Sequence, residues 1–305
     1  MEILNGLDFK LTNSAVSLGK FDGIHRGHRL LLKQILEQDQ WSPTVFTFGA
    51  VQGNGIMPGQ QIYSKKEQRM ILEELGIKRE IIFPFNEETR KITAEEFIQN
   101  ILVEKIDAKL ICVGEDFHFG KNRQGDVELL SRLADRYGYR LKVYPKLTCD
   151  GENISSTRIR WELSTGKLDK VNELLGAPYF ICGEVVHGNA LGRTIGMPTA
   201  NIIPEQGKVL PVFGVYATTV EVDGKEYAGV TNIGLKPTVG AENATVETIL
   251  INFSGDLYGK EMVVRFHHFL RREKKFAGLE QLREQMEKDK QRAQELLQVF
   301  GVSEP

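Results

Sequence analysis

Cysteine is scarce and shows no pairing pattern. The three residues, Cys112, Cys149 and Cys182, are odd in number and widely spaced, with no CxxC pair. Neither a disulfide framework nor a zinc knuckle is indicated, and a reducing cytosol fits. An excess of charge of one sign is also missing. Lys and Arg (39) against Asp and Glu (41) leave a formal net charge of −2, which argues against a nucleic-acid partner and leaves room for small anionic ligands. The start, MEILNGLDFKLTN, has no basic end followed by an apolar run, so it does not read as a signal peptide and a cytoplasmic protein is expected. Long apolar runs are absent too. Trp41 to Ser64 carries no charged residue, but Pro43, Pro58, four glycines and three glutamines interrupt it. It reads as a strand and a long polar loop, with no membrane helix.

What is present is a chain of 305 residues, 41% of them hydrophobic, enough for two packed domains. From residue 15 to about 175, short apolar runs (Ala15–Leu18, Thr44–Phe48, Glu80–Phe83, Leu110–Val113, Leu141–Val143) alternate with helical spacings such as Leu30, Leu31, Ile35, Leu36 and Phe97, Ile98, Ile101, Leu102. Strand and helix in alternation predict a Rossmann-like parallel sheet covered on both faces. After the turn signal GAPY (Gly176–Tyr179) the texture becomes β-branched and aromatic runs punctuated by glycine. It predicts an antiparallel barrel or sandwich with strands over Cys182–His187, Val215–Val222, Tyr227–Ile233, Val246–Phe253 and Met262–Phe269. A stripe of Leu279, Leu282, Met286, Ala293, Leu296, Leu297 and Phe300 predicts a C-terminal helix packed on that barrel. Domains of 1–175 and 176–305 follow.

GKFDGIHRGH (Gly19–His28) follows the first of these strands and opens a helix. Ligands bind at the carboxyl ends of such strands, and helix amino ends attract phosphate. His25 and His28 are three apart, with Gly27 between them removing a side chain that would block close approach. Imidazoles there can donate to an α-phosphate as charge builds on it; capping histidines and a metal pair are the competing readings. In NISSTRIRWEL (Asn153–Leu163), Ser155, Ser156 and Thr157 stand before a helix carrying Arg158 and Arg160, a set that suits a polyphosphate or an ordinary N-cap. In VGEDFHFGKNRQGD (Val113–Asp126), Asp116, Phe117 and Phe119 leave a strand and could meet a ring and its amine or hydroxyl, or merely plug the core.

In GRTIGMPTAN (Gly192–Asn201), Thr199 and Asn201 are two apart on an expected strand, so both face one way. A hydroxyl beside an amide oxygen suits magnesium with ATP, and Gly188, Gly192 and Gly196 allow backbone to approach phosphates; a glycine turn between strands is the plain alternative. Glu247, at the start of another strand, can accept a proton from an attacking hydroxyl. A P-loop is excluded. GNALGRT (Gly188–Thr194) is one residue short with Arg193 in place of lysine, and GEDFHFGKN (Gly114–Asn122) is one too long and lacks Ser or Thr.

Gly19–His28, Gly114–Gly120, Ser155–Arg160 and Gly192–Asn201, in this order, resemble the bacterial bifunctional riboflavin kinase/FAD synthetase family over nearly the whole chain. LPVFGVY, NIGLKPT, DLYG and LRREKKF match further family segments. The resemblance implies an N-terminal FMN adenylyltransferase and a C-terminal riboflavin kinase, with riboflavin, FMN, FAD, ATP, ADP and pyrophosphate as ligands and Mg2+ accompanying ATP. It implies that His25 and His28 bind ATP phosphates and stabilise the transition state, that Gly19, Phe21, Asp22, Gly23, Gly27 and Asp116 surround the nucleotide, and that Ser156, Thr157 and Arg160 hold the triphosphate. In the second half, Glu247 is the base, Thr199 and Asn201 hold magnesium and ATP with Gly192 at the nucleotide, and Arg271 and Phe276 lie near the flavin. Two departures stand out. TFGAVQGNG (Thr47–Gly55) replaces the family's Pro-His-Pro element, and Lys20 stands where Asn is common. The first puts the adenylylation rate in question. A kinase with weak adenylyltransferase and a flavin-sensing binding protein are the alternatives.

Overall fold

The structure is a computed structural model that describes residues 1–49, 61–188, 196–238 and 241–297. By packing, the chain divides into two compact units: residues 1–57 with 65–156, and residues 58–64 with 157–305.

The first unit is built on a six-stranded, wholly parallel sheet in the order β1 (Glu2–Asn5), β4 (Arg79–Phe83), β3 (Ser42–Phe48), β2 (Ser14–Leu18), β5 (Ala108–Gly114), β6 (Arg140–Tyr144). Every residue of β2 is buried, as expected for a central strand covered on both faces. The chain leaves β2 through α1 (Arg26–Leu36) toward β3 and leaves β5 through α4 (Val127–Tyr137) toward β6. Those directions are opposite across the sheet, so strand order reverses between β2 and β5, the place where open α/β sheets bind ligands. The remaining helices are α2 (Lys65–Glu74) and α3 (Ala94–Glu96), which runs on as a π-helix over Phe97–Val103. One core cluster joins Val16, Leu18, Phe46, Phe83, Phe97, Ile111 and Phe119. A small hairpin, β7 (Thr148–Cys149) with β8 (Glu152–Asn153), precedes α5 (Ser156–Ser164).

The second unit is a curled antiparallel sheet in the order β10 (Ala200–Ile202), β13 (Ala241–Leu250), β12 (Lys225–Thr238), β11 (Gly214–Val222), β14 (Glu261–Arg271), β9 (Tyr179–Glu184). The Val186 N–H donates to Asn201 O at 2.8 Å, tying the chain beyond β9 to β10. The inner face is closed by Tyr216, Ile233, Val246 and Phe266 and by a ladder of buried hydroxyls, Thr218 to Thr231 at 2.8 Å and Thr231 to Thr248 at 2.9 Å. The other face carries α7 (Leu279–Leu297), whose Ala293 and Leu297 pack on Val215, Ala217 and Val230.

The structure adds detail to three sequence readings here. Texture puts the changeover at 175/176, whereas packing puts it at 156/157. The reason is α6 (Leu168–Leu175): Asn172 donates to Phe266 O at 2.9 Å and accepts from Tyr179 N at 2.8 Å, binding the helix to β14 and β9. The buried face of α7 is Asp289, Ala293 and Leu297, while Leu279 is 50% exposed; Phe300 lies outside the described residues. The chain also sends a segment back to the second unit. The Gln61 N–H donates to Gly207 O at 3.1 Å and the Val209 N–H to Gln61 O at 2.7 Å, and buried Lys208 donates to Ile62 O and Phe180 O, both at 3.1 Å, with its ammonium 4.8 and 4.6 Å from the ring centroids of the stacked Tyr63 and Tyr179.

Candidate active sites

The turn from β2 to α1 is strained. Phe21 (φ +48°) and Ile24 (φ +40°) adopt left-handed backbone beside Gly23 (φ +83°), a conformation costing a side-chain-bearing residue about 1–2 kcal/mol. Burial holds it in place, since Phe21 is 3% and Ile24 0% exposed. The product of that strain is the placement of His25 as the cap of α1, its Nδ1 accepting from the His28 N–H at 3.4 Å. With Nδ1 accepting, the ring proton sits on Nε2. His25 and His28 stack with centroids 3.8 Å apart and 14° between planes, and Phe21 flanks His28 at 5.2 Å. A Cβ at Gly27 would sit 3.2 Å from the His25 ring, so the glycine is what lets the ring lie along the helix start. A Cβ at Gly19 would likewise stand 3.3 Å from the Phe21 ring.

Burial pushes the His25 pKa down to about 4. His28 is pushed well below the ordinary histidine value, first by burial and then by the neighbouring imidazole. Both rings are therefore neutral near pH 7 and can donate a hydrogen bond without carrying charge. His28 Nδ1 is buried with no hydrogen-bond partner among the described residues. Such an atom at a helix amino end is matched by a phosphate oxygen when Nδ1 bears the proton. Ser156 reaches the same turn, its hydroxyl donating to Asp22 O at 2.7 Å. Thr157 and Arg160 follow it on α5, where Arg160 Nη2 donates to Thr157 Oγ1 at 3.4 Å.

Asp116 lies past the carboxyl end of β5, the strand beside β2. It is exposed and paired with Lys146 Nζ at 2.8 Å, and that hydrogen bond raises the lysine pKa. Of the two loop phenylalanines, Phe119 is 4% exposed and packs on Phe97, so it plugs the core, with Phe117 stacked on it at 5.5 Å.

In the second unit, strand register assembles the other site. Asn201 on β10 pairs with Glu247 on β13, Glu247 with Asn232 on β12, Asn232 with Val215 on β11, and Val215 with Arg271 on β14. Partners across a ladder share a face, so these five residues form one row across five strands, neighbours about 5 Å apart. Two residues singled out from different motifs, Asn201 and Glu247, thus stand side by side. Asn201 is 5% exposed and its Nδ2 donates to Thr199 O at 3.4 Å, which leaves Oδ1 as the acceptor end. A Cβ at Gly188 would lie 2.4 Å from that Nδ2 and 2.8 Å from Oδ1, so the amide fills a hollow only glycine provides. Gly192 lies outside the described residues, as does the stretch 50–55 of the expected Pro-His-Pro position.

Arg271 is already engaged. Its Nε donates to both Asp289 oxygens at 3.0 Å, its Nη2 to Oδ2 at 2.6 Å and its Nη1 to Arg272 O at 3.1 Å. Phe276 lies 5.9 Å from the guanidinium. Sequence reasoning gave Asn232 no role beyond opening the quoted NIGLKPT segment, its place beside Glu247 being revealed by register, and missed the exposed His187 ring stacked on Tyr258 at 3.7 Å beside Gly188. Tyr258 sits in the quoted DLYG segment, which was the available signal.

Comparison with known proteins follows this division of the chain. A family model described as FAD synthetase matches residues 8–158, and one described as riboflavin kinase matches residues 175–297. The bifunctional riboflavin kinase/FMN adenylyltransferase of Escherichia coli strain K12 is 36% identical over 299 residues, 95% of this chain and 94% of the relative. The proteins of the same name from Bacillus subtilis strain 168 (36%, covering 92% and 91%) and Pseudomonas fluorescens (35%, covering 88% of each) agree. A crystal structure described as a macrolide-efflux protein from Streptococcus pneumoniae superposes with a TM-score of 0.84 at 29% identity, over 95% of this chain and 98% of that one.

Proposed function

Since the chain belongs to the bifunctional riboflavin kinase/FMN adenylyltransferase family, we propose that its two units divide the chemistry between the imidazole pair and the Asn201–Glu247 row. It phosphorylates riboflavin to FMN and then adenylylates FMN to FAD, spending ATP at each step. The observation that carries the reading is the row itself, in which one ladder of strand pairs brings an amide, a carboxylate and the expected flavin end into line.

At the row, Glu247 accepts the proton of the ribityl 5′-hydroxyl as its oxygen attacks the γ-phosphorus and ADP leaves. Thr199 and Asn201 offer only oxygen donors to a cation, and the hollow at Gly188 fixes the amide that carries one of them. That donor chemistry fits magnesium, which when bound offsets phosphate charge. Arg271 and Phe276 mark the flavin end, Arg271 by holding position through Asp289, while Gly192 belongs with the nucleotide.

At the imidazole pair, an FMN phosphate oxygen attacks the α-phosphorus of ATP and pyrophosphate departs, with no covalent enzyme intermediate. His25 and His28 donate to the phosphate oxygens as charge grows on them, so catalysis is placement plus charge stabilisation. Gly19, Phe21, Asp22, Gly23 and Gly27 shape the turn, Ser156, Thr157 and Arg160 hold the triphosphate, and Asp116 faces the substrates. A cytoplasmic enzyme without nucleic-acid or membrane partners accords with the charge balance. No helix among the described residues is long and apolar enough to cross a membrane.

A second reading is a kinase whose adenylyltransferase is weak, favoured by the absence of Pro-His-Pro from Thr47–Gly55 and by the commitment of Asp116 to Lys146. Incubation with riboflavin and MgATP followed by flavin chromatography separates the cases. FMN followed by FAD supports the bifunctional reading, FMN without FAD supports the second, and unchanged riboflavin overturns both.

A further inference from the structure

Asn232 stands in the row directly beside Glu247, yet it belongs to neither the expected metal set nor the expected flavin set. Its Nδ2 donates to Glu273 Oε1 at 3.2 Å. Glu273 lies in the stretch 272–278, which joins β14 to α7 without regular secondary structure. Gly234, two residues along β12 and hence on the same face as Asn232, lies under that carboxylate. A Cβ there would come within 2.1 Å of Oε1, so the strand is bare where the glutamate rests on it. Two residues earlier, Arg271 is pinned to Asp289 of α7, itself 5% exposed and held further by Gln285 at 3.0 Å. The stretch is thus fastened twice as it leaves the sheet, once to the helix and once to the catalytic row.

We propose that Asn232 and Glu273 are a positioning pair for the riboflavin end of the kinase site, an inference that rests on the kinase reading of the row. Direction along the row assigns the end. Asn201, Thr199 and Gly188 occupy the β10 side of Glu247, whereas Asn232, Glu273 and the stretch bearing Phe276 occupy the opposite side. The nucleotide and the acceptor alcohol must approach Glu247 from different sides for in-line transfer. The pair holds the covering stretch beside the carboxylate that receives the proton, and it does so without touching the reacting atoms.

Steady-state kinase assays on the full chain, varying riboflavin and MgATP separately, test this. Glu273→Ala and Asn232→Ala should each raise the riboflavin KM roughly tenfold, the scale of one lost hydrogen bond to a charged group, with the ATP KM unchanged. The double variant should be no worse than either single one. Glu273→Gln keeps an oxygen that accepts from Asn232 Nδ2 and should restore most of the riboflavin KM. Gly234→Ala, which evicts the carboxylate, should mimic Glu273→Ala. An unchanged riboflavin KM in Glu273→Ala, additive effects in the double variant, or equal damage in Glu273→Gln would overturn the pairing. Glu247→Gln serves as the reference: full turnover in that variant removes the kinase reading itself, whereas its inactivity beside a normal Glu273→Ala removes only this inference.

Discussion

At the scale of single residues, the two centres are separable by substitution. His28→Ala should abolish conversion of FMN to FAD while sparing FMN formation, and Glu247→Ala should do the reverse when FMN is supplied; chromatography of the flavins reads both. Loss of both activities in each folded variant would defeat the assignment. Gly188→Ala should lower kinase turnover more than tenfold with FAD synthesis from FMN intact, because the added methyl would lie 2.4 Å from Asn201 Nδ2 and displace the amide. The buried imidazoles also set a pH dependence. His25 titrates near 6.5 when unfolded and at about 4 when folded, so between those values the unfolded chain holds a proton that the native one lacks. Native stability should therefore be constant above that window and fall as pH drops through it, by roughly 3 kcal/mol in all. Urea midpoints of the native chain and of His25→Gln, compared at about pH 7.5 and about pH 5, check the sign: the native chain must lose more. Phosphate binding reverses the burial penalty, so ATP should bind the first unit with uptake of protons in the same window.

Elements set these residues in place, and the most exposed to test is the tie between β14 and α7. Asp289 is buried and answers to Arg271 and Gln285, so Asp289→Ala leaves a half-buried guanidinium without its partner. Destabilisation of about 2–4 kcal/mol, read by thermal unfolding, is the expected outcome, with the kinase affected before the adenylyltransferase. The elements themselves were legible to different depths. Five of the six strands of the first sheet stood out, the four inner ones because strands covered on both faces read as uninterrupted apolar runs. The edge strand Glu2–Asn5, with the exposed pattern of an edge, offered no such run. The barrel strands were found with displaced ends: β12 runs from Lys225 to Thr238, beyond the expected Tyr227–Ile233, because ladder bonds continue where side chains turn polar, whereas the expected Cys182–His187 and Val246–Phe253 run past β9 and β13, which end at Glu184 and Leu250. Of the candidate sites, the histidine pair and its glycine were readable from spacing on one turn. The neighbourhood of Asn201 and Glu247 was carried by resemblance alone, since cross-strand register depends on pairings that no local pattern specifies. The tie of Arg271 to Asp289 was equally invisible, because it joins a strand to a helix rather than residues within one local pattern.

At the scale of the whole molecule, the small amount of chain that crosses between the units decides how the protein can be taken apart. A gene cut at 156/157 would produce a rear fragment without Gln61, Ile62 and Tyr63, which supply a backbone partner to Val209, a carbonyl to Lys208 and one of the two rings near its ammonium. That ammonium, 8% exposed, would be left with an open flank. The rear fragment alone should melt lower than the kinase half of the intact chain, and a peptide spanning 58–64 added in excess should raise its melting temperature; an identical melt with and without the peptide would contradict this. The polypeptide is stitched rather than strung like beads. A gene split at 156/157 would therefore leave residues 58–64 on the front product and the carbonyl and N–H they pair with, at Gly207 and Val209, on the rear one.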